Sequence, residues 1–424
     1  MSGKTIVEKI ISAHAGRDLR AGDLCVAELD FTAGTETKCP RAVRMFEDLG
    51  LPLHRREQVA IAMDHFVPST NAQRTNNQKK LRQFAEKEGV RLFLPGEGIS
   101  LQLFMENHLL YPGALGGIAD SHASSLGAVN CCCLAIGETE LATAMATGKI
   151  WLKVPESIKV ELKGTLSPGV YAKDAALALM GLIGTEGASY QVLEFCGEAL
   201  KNLGMGERFT LCNMVSDIGA KTAIMPGDER TSAWMLESRN APGRLVNADP
   251  DASYCRTIEL DLGSIEPMLS CPHSVDNVHA ASSEEHTPVN LAIIGSCTNG
   301  RLEDLRAAAA VLKDGHIHPA VRMLITPASR RVLLEANAEG LIDIFVRAGA
   351  MVMPPACGPC TSFTQIGVPG DGDNVISSAN RNFKGRLGNK SASIYLASPA
   401  TVAASALTGH IADPRPYFCR RQSA

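Results

Sequence analysis

Short apolar runs and helical patterns alternate along this chain. The N-terminal stretch MSGKTIVEKIISAHAGRD sets Glu8, Lys9 and Asp18 within an apolar period of three to four, which predicts an amphipathic helix. A helix is predicted around Asn76–Gly89 and a strand around Lys159–Leu162. The pattern is most legible after residue 288. Val289–Ile294 predicts a strand, running into the loop Gly295–Gly300 (GSCTNG) and a helix from Leu302 to about Lys313. A second strand follows at Val321–Thr326, then a helix near Ser329–Ala338. Ala350–Met353 then leads into PPACGPC. Consecutive strand–helix units of this kind predict a parallel sheet, with ligands beyond the C-terminal strand ends. Cys297 and the pair Cys357 and Cys360 fall at such ends. The polar, aperiodic stretch His273–Pro288 reads as a linker, dividing the chain into lobes 1–285 and 286–424.

Composition narrows the class. Hydrophobic residues make up 45% of the 424, so the chain can build a packed core. Its formal net charge of −4 lacks the basic excess of a general nucleic-acid binder. The longest apolar runs, Ala175–Gly184 and Leu126–Gly137, are too short to span a membrane. The N-terminus has the form of a helix, not of a leader, so a cytoplasmic location is expected.

There are 13 cysteines, a high and odd number for a reducing compartment. Cys297, Cys357 and Cys360 stand out. The C-x-x-C turn, with Gly358 and Pro359 inside it, can hold one centre from two sides, and Cys297 offers a third thiolate. Three thiolates with no evident fourth partner suit an iron–sulfur cluster with one open corner. A structural zinc, a redox pair and plain core cysteines remain open on spacing alone. Cys131, Cys132 and Cys133 cannot all face one metal from a helix and read as core. The remaining cysteines (Cys25, Cys39, Cys196, Cys212, Cys255, Cys271, Cys419) read the same way.

Several motifs, taken in order, resemble the aconitase family. They are TIVEKIISAHAGRD, AMDHFVPS at Ala62–Ser69, ADSH at Ala119–His122, GKIWLKVPES at Gly148–Ser157, CNM at Cys212–Met214, IGSCTNG, ACGPC, SSANRNFKGRLG at Ser377–Gly388 and YLASPATVAASALTG at Tyr395–Gly409. The match is closest to large subunits of the isopropylmalate, dimethylmalate and homoaconitate type.

The resemblance implies α/β/α lobes with mainly parallel sheets around a central [4Fe–4S] cluster. One cluster per chain would sit on Cys297, Cys357 and Cys360, with Asn299 and Asn380 as neighbours. Asp64, His65, Asp120, His122 and Asp217 would be catalytic. Arg381, Arg386, Asn213 and Ser121 would bind a small hydroxy-acid substrate, guanidinium groups suiting its carboxylates. The implied reaction is dehydration of a 2-alkylmalate such as isopropylmalate, 2-methylmalate or dimethylmalate. A homoaconitase-type tricarboxylate hydratase, or a diverged paralogue of altered substrate or little activity, is the alternative.

No G-S-S-R-type serine motif of a swivel domain occurs. The resemblance therefore implies a separate small swivel-domain subunit carrying the catalytic serine, with no nucleic acid or membrane as partner. Four places depart from the family pattern. Leu101 stands where a histidine is expected, and Ala123 where a threonine is. Asp217 replaces a glutamate. Gly34–Pro40 (GTETKCP) replaces G-H-D-x-T-x-P.

Overall fold

The computed structural model describes residues 3–237 and 243–419; the reading of the Cys419 side chain lies outside the described residues. Two compact units form. Unit 1 comprises residues 1–95, 100–163 and 188–260; unit 2 comprises 96–99, 164–187 and 261–424.

The strands of unit 1 are β1 (Leu24–Glu28), β2 (Phe31–Thr35), β3 (Val59–Ala62), β4 (Arg91–Phe93), β5 (Leu115–Ala119), β6 (Cys132–Ala135), β7 (Lys149–Lys153), β8 (Ser157–Lys163), β9 (Val192–Cys196), β10 (Thr222–Ile224) and β11 (Arg256–Asp261). Five of them make a parallel sheet in the order β4-β3-β2-β5-β6. A second sheet runs β10-β9-β8-β11, and β1 and β7 form an antiparallel ribbon. The predicted N-terminal helix spans Ile6–Ala15. Thr5 and Glu8 cap each other's backbone N–H groups, and Gly16 closes it in the left-handed region. Its apolar face, Ile6, Val7, Ile10 and Ile11, is buried in the unit's own core.

In unit 2 the strands are β12 (Met268–Ser270), β13 (Val278–Ala280), β14 (Leu291–Ile294), β15 (Arg322–Ile325), β16 (Met351–Val352), β17 (Asn374–Ser377) and β18 (Ser393–Leu396). They form one sheet, β13-β12-β18-β17-β14-β15-β16, whose last five strands are parallel. The helices Leu302–Leu312, Arg330–Ala338 and Pro399–Thr408 supply much of its core.

The fold is mixed α/β with mainly parallel sheets. One expectation is corrected: the stretch read as a linker contains β13, paired antiparallel to β12. An edge strand of three residues is too short and too exposed to show an apolar period.

Numbered along the chain, the five parallel strands of each unit lie in the same spatial order, 3-2-1-4-5. That doubly wound order opens a crevice where the direction of winding reverses, at the C-terminal ends of the first and fourth strands. In unit 1 these are β2 and β5; in unit 2, β14 and β17. Asp120, Cys297 and Asn380 follow β5, β14 and β17 there, while Asp64-His65 and the Cys357/Cys360 pair follow β3 and β16 of the same two sheets.

Candidate active site

In unit 1, Glu36 follows β2, Asp64 and His65 follow β3, and Asp120 follows β5. All stand at the C-terminal ends of adjacent parallel strands. The Asp64 carboxylate lies 2.7 Å from His65 Nδ1 and accepts the Ser100 N–H at 2.8 Å. Glu36 completes the group. Its carboxylate accepts the backbone N–H groups of Asp64 (2.9 Å), His65 (2.8 Å) and Phe66 (2.9 Å), and lies 3.9 Å from His65 Nδ1.

Burial sets the charges. It opposes a charge on His65, but Asp64 and Glu36 outweigh it, and the imidazole pKa is raised to about 10. Burial and the Asp64 charge push Glu36 up to about 7, against the pull of His65. Burial also works against the Asp64 carboxylate, but His65 wins and holds its pKa below the usual value. At neutral pH the pair is therefore imidazolium and carboxylate.

A second histidine sits on the next strand end. His122 Nε2 is 3.3 Å from Asp217, and Nδ1 is 3.2 Å from the exposed Ser121 hydroxyl. Asp120 accepts the His122 N–H at 2.8 Å. Buried Asn213 donates to Ser125 Oγ at 2.8 Å, and Ser125 donates to the His122 carbonyl at 2.6 Å. Asn213 and Asp217 come from the helix Met205–Met214 and the turn after it. Despite its shorter side chain, Asp217 reaches the histidine. Leu101 and Ala123 are fully buried beside Ser100 and His122.

In unit 2, Cys297 follows β14, Cys357 and Cys360 follow β16, and Asn380 follows β17. All three cysteines are buried thiols. The Asn380 amide joins two of them, its Nδ2 lying 3.5 Å from Cys297 Sγ and its Oδ1 3.8 Å from Cys360 Sγ. Arg386 Nη2 donates to Cys360 Sγ at 3.3 Å. Gly358 is required in the turn: φ is +62°, and a Cβ would meet Thr326 Oγ1 at 2.6 Å.

Asn299 lies two residues beyond Cys297, with its amide on Asp304 at 2.8 Å. Arg381 is half-buried on the loop after Asn380. Asn382 pins that loop, donating to the Cys271 carbonyl at 2.8 Å and to Ser270 Oγ at 3.0 Å.

Three buried residues escaped the sequence reading. Glu36 was marked only as part of a departing segment. Arg301 donates to the Cys297 carbonyl at 3.1 Å and to the Thr298 carbonyl. Lys173 donates to the carbonyls of Ser378 (3.1 Å) and Ala379 (2.6 Å). Each is a single charged residue with no local motif of its own. The three consecutive cysteines lie at β6, not on a helix, and are wholly buried. Burial pushes the Cys132 thiol up to about 12, leaving it a poor ligand. A cavity of about 520 Å³ among Lys9, His14, Tyr111 and Arg244 of unit 1 is lined in part by the N-terminal motif but by none of the candidate site residues.

Two doubly wound sheets with thiols and acid–histidine pairs at their C-terminal strand ends suit an enzyme of the aconitase type. The family model for aconitase (aconitate hydratase) matches residues 8–409, and the chain belongs to that family. It is 46% identical over 417 residues to a protein named 3-isopropylmalate dehydratase large subunit 2 from Archaeoglobus fulgidus, covering 98% of this chain and 100% of that one. It is 43% identical over 419 residues to the large subunit 1 of that name from Thermotoga maritima, again covering 98% and 100%. Among solved structures, holo aconitase X from Thermococcus kodakaraensis aligns with a TM-score of 0.49 and 12% identity, covering 88% of this chain and 89% of that one. That likeness is too distant to bear on the site.

Proposed function

We propose that this chain is the cluster-bearing large subunit of a hydro-lyase that dehydrates a 2-alkylmalate, isopropylmalate first among them. The observation that carries the reading is the full-length match to isopropylmalate dehydratase large subunits, held together with three buried cysteines at the strand ends of one sheet. The donor set fits a [4Fe–4S] cluster. It is all thiol, it comes from two loops at the same end of one sheet, after β14 and β16, and one amide touches two of its sulfurs.

Cys297, Cys357 and Cys360 would hold the cluster. Bound there, it supplies a Lewis-acidic iron for the hydroxyl and carboxylate of a 2-hydroxy acid. Arg386 and Asn380, which touch Cys360 and Cys297, would position those sulfurs. Arg381 and Arg386 are the guanidinium groups assigned to substrate carboxylates.

His65 holds the proton that the departing hydroxyl needs. Asp64 at Nδ1 orients and charges the ring, and proton donation is assigned to Nε2. A donor with pKa about 10 stays charged at neutral pH. It still loses its proton favourably to hydroxide, whose conjugate acid, water, has a pKa of about 15.7. His122, held by Asp217 and Asp120, is the second proton-handling group. Ser121 and Asn213 are assigned to the substrate pocket.

The base that takes the carbon-bound proton is assigned to a separate small subunit with a catalytic serine. The relatives' names as large subunits support a small-subunit partner; the serine rests on the resemblance alone. A cytoplasmic location goes with this reading, because a cluster held by three thiolates needs reducing surroundings.

The test is anaerobic co-purification with the candidate small subunit, followed by assay of 2-hydroxy acids for the unsaturated product. Turnover of isopropylmalate is expected from the pair and not from this chain alone.

A further inference from the structure

Lys173 is the least expected side chain in unit 2. It lies in the first turn of the helix Ala172–Ile183 and has no exposed surface. Burying an ammonium costs several kcal/mol (order of magnitude) unless its charge and donors are used. Here two donors are used at one place, on the consecutive carbonyls of Ser378 and Ala379.

That place is the joint of the sulfur site. The Ser378 hydroxyl accepts the Gly295 N–H at 3.0 Å, tying the end of β17 to the start of the Cys297 loop. The next residue after the clamped pair is Asn380, whose amide touches Cys297 and Cys360. The neighbouring Asp174 carboxylate accepts the N–H groups of Tyr171 (2.8 Å) and Met268 (2.9 Å), which anchors the same helix turn to β12. The helix start is thus fixed on one side and the lysine reaches across to the loop.

We propose that Lys173 is a positioning residue for the iron–sulfur site, holding the Ser378–Asn380 loop so that the Asn380 amide meets the sulfurs. The inference rests on the proposed cluster and deepens it. Lys173 acts through Asn380 and the loop, not by touching substrate.

The test uses the full chain, loaded anaerobically with iron and sulfide, as wild type, Lys173→Met and Lys173→Gln. Met removes both the donors and the charge; Gln keeps a donor and loses the charge. The readouts are the rate of cluster loss to a chelator, followed by its visible absorption, and the midpoint potential. Near-ultraviolet circular dichroism reports folding. Lys173→Met is expected to lose the cluster on the order of 10- to 100-fold faster than wild type. Lys173→Gln is expected to fall between the two, with a more negative potential. If Lys173→Met does not fold, Lys173→Gln decides. Wild-type rates of loss in the folded variants overturn the inference and leave the proposed function standing. A wild-type chain that takes up no cluster overturns both.

Discussion

The backbone N–H of His65 donates to the carboxylate of Glu36, 29 residues earlier, at 2.8 Å. The same carboxylate lies 3.9 Å from the imidazole Nδ1. Glu36 thus fixes the backbone of the proposed proton donor and helps set its charge. Glu36→Gln keeps the size but removes a negative charge that raises the His65 pKa. In the proposed mechanism His65 works protonated, so the rate falls as pH rises through its pKa. The basic limb of the kcat profile should therefore move to lower pH, by about 1 unit. An unmoved limb would show that Glu36 does not govern His65.

Stability carries the same signature. Glu36 has a folded pKa of about 7 against 4.5 for a free glutamate. A raised pKa contributes stability that is fully present below about pH 4.5 and is lost as pH rises through about 7. Buried Asp174, also raised by burial to about 7, acts in the same window. Glu36→Gln should flatten, not abolish, the fall in urea midpoint between about pH 5 and 7. The check is a set of urea titrations across that range.

Glu36 also marks where the sequence stopped being legible. The cysteines, the Asp64-His65 pair and the two arginines carry short motifs, and the βα rhythm around Cys297 was readable from apolar runs alone. Glu36 sits in a segment that departs from the family pattern. Its role follows only from the pairing of β2 with β3, which brings residue 36 to residues 64–66. Lys173 opens an apolar helix and lies some 200 residues from its partners, so no spacing could reveal it. The β13 edge strand failed for the opposite reason: its polar exposure hid it.

Asp217 holds His122 at 3.3 Å, although the resemblance calls for a glutamate there. Asp217→Ala should cut kcat by about 100-fold, within the range for a general acid–base group. The melting temperature should change little by comparison. Equal loss of stability and rate would make the contact structural.

Gly358 is the tightest point of the C-x-x-C turn. Gly358→Ala puts a methyl against Thr326 and forces a left-handed φ on a residue with a Cβ. A loss of about 1–3 kcal/mol is expected, measured by chemical denaturation. Cluster uptake should fall with it, because both flanking cysteines move.

Leu101 is fully buried, one residue from the Ser100 N–H that holds Asp64. Leu101→His restores the expected histidine beside the acid pair and raises the local polarity. Substrate preference among 2-alkylmalates and tricarboxylates should change, read as kcat/KM ratios. Unchanged ratios would make this departure neutral.

The central claim is that Cys297, Cys357 and Cys360 hold a cluster used in dehydration. It is tested most directly by counting iron and acid-labile sulfide in the anaerobically purified chain, paired with its small subunit and assayed on isopropylmalate. About four iron and four sulfide per chain are predicted, with turnover, and both are lost in Cys297→Ser. Zinc without sulfide, or full turnover by Cys297→Ser, would contradict it.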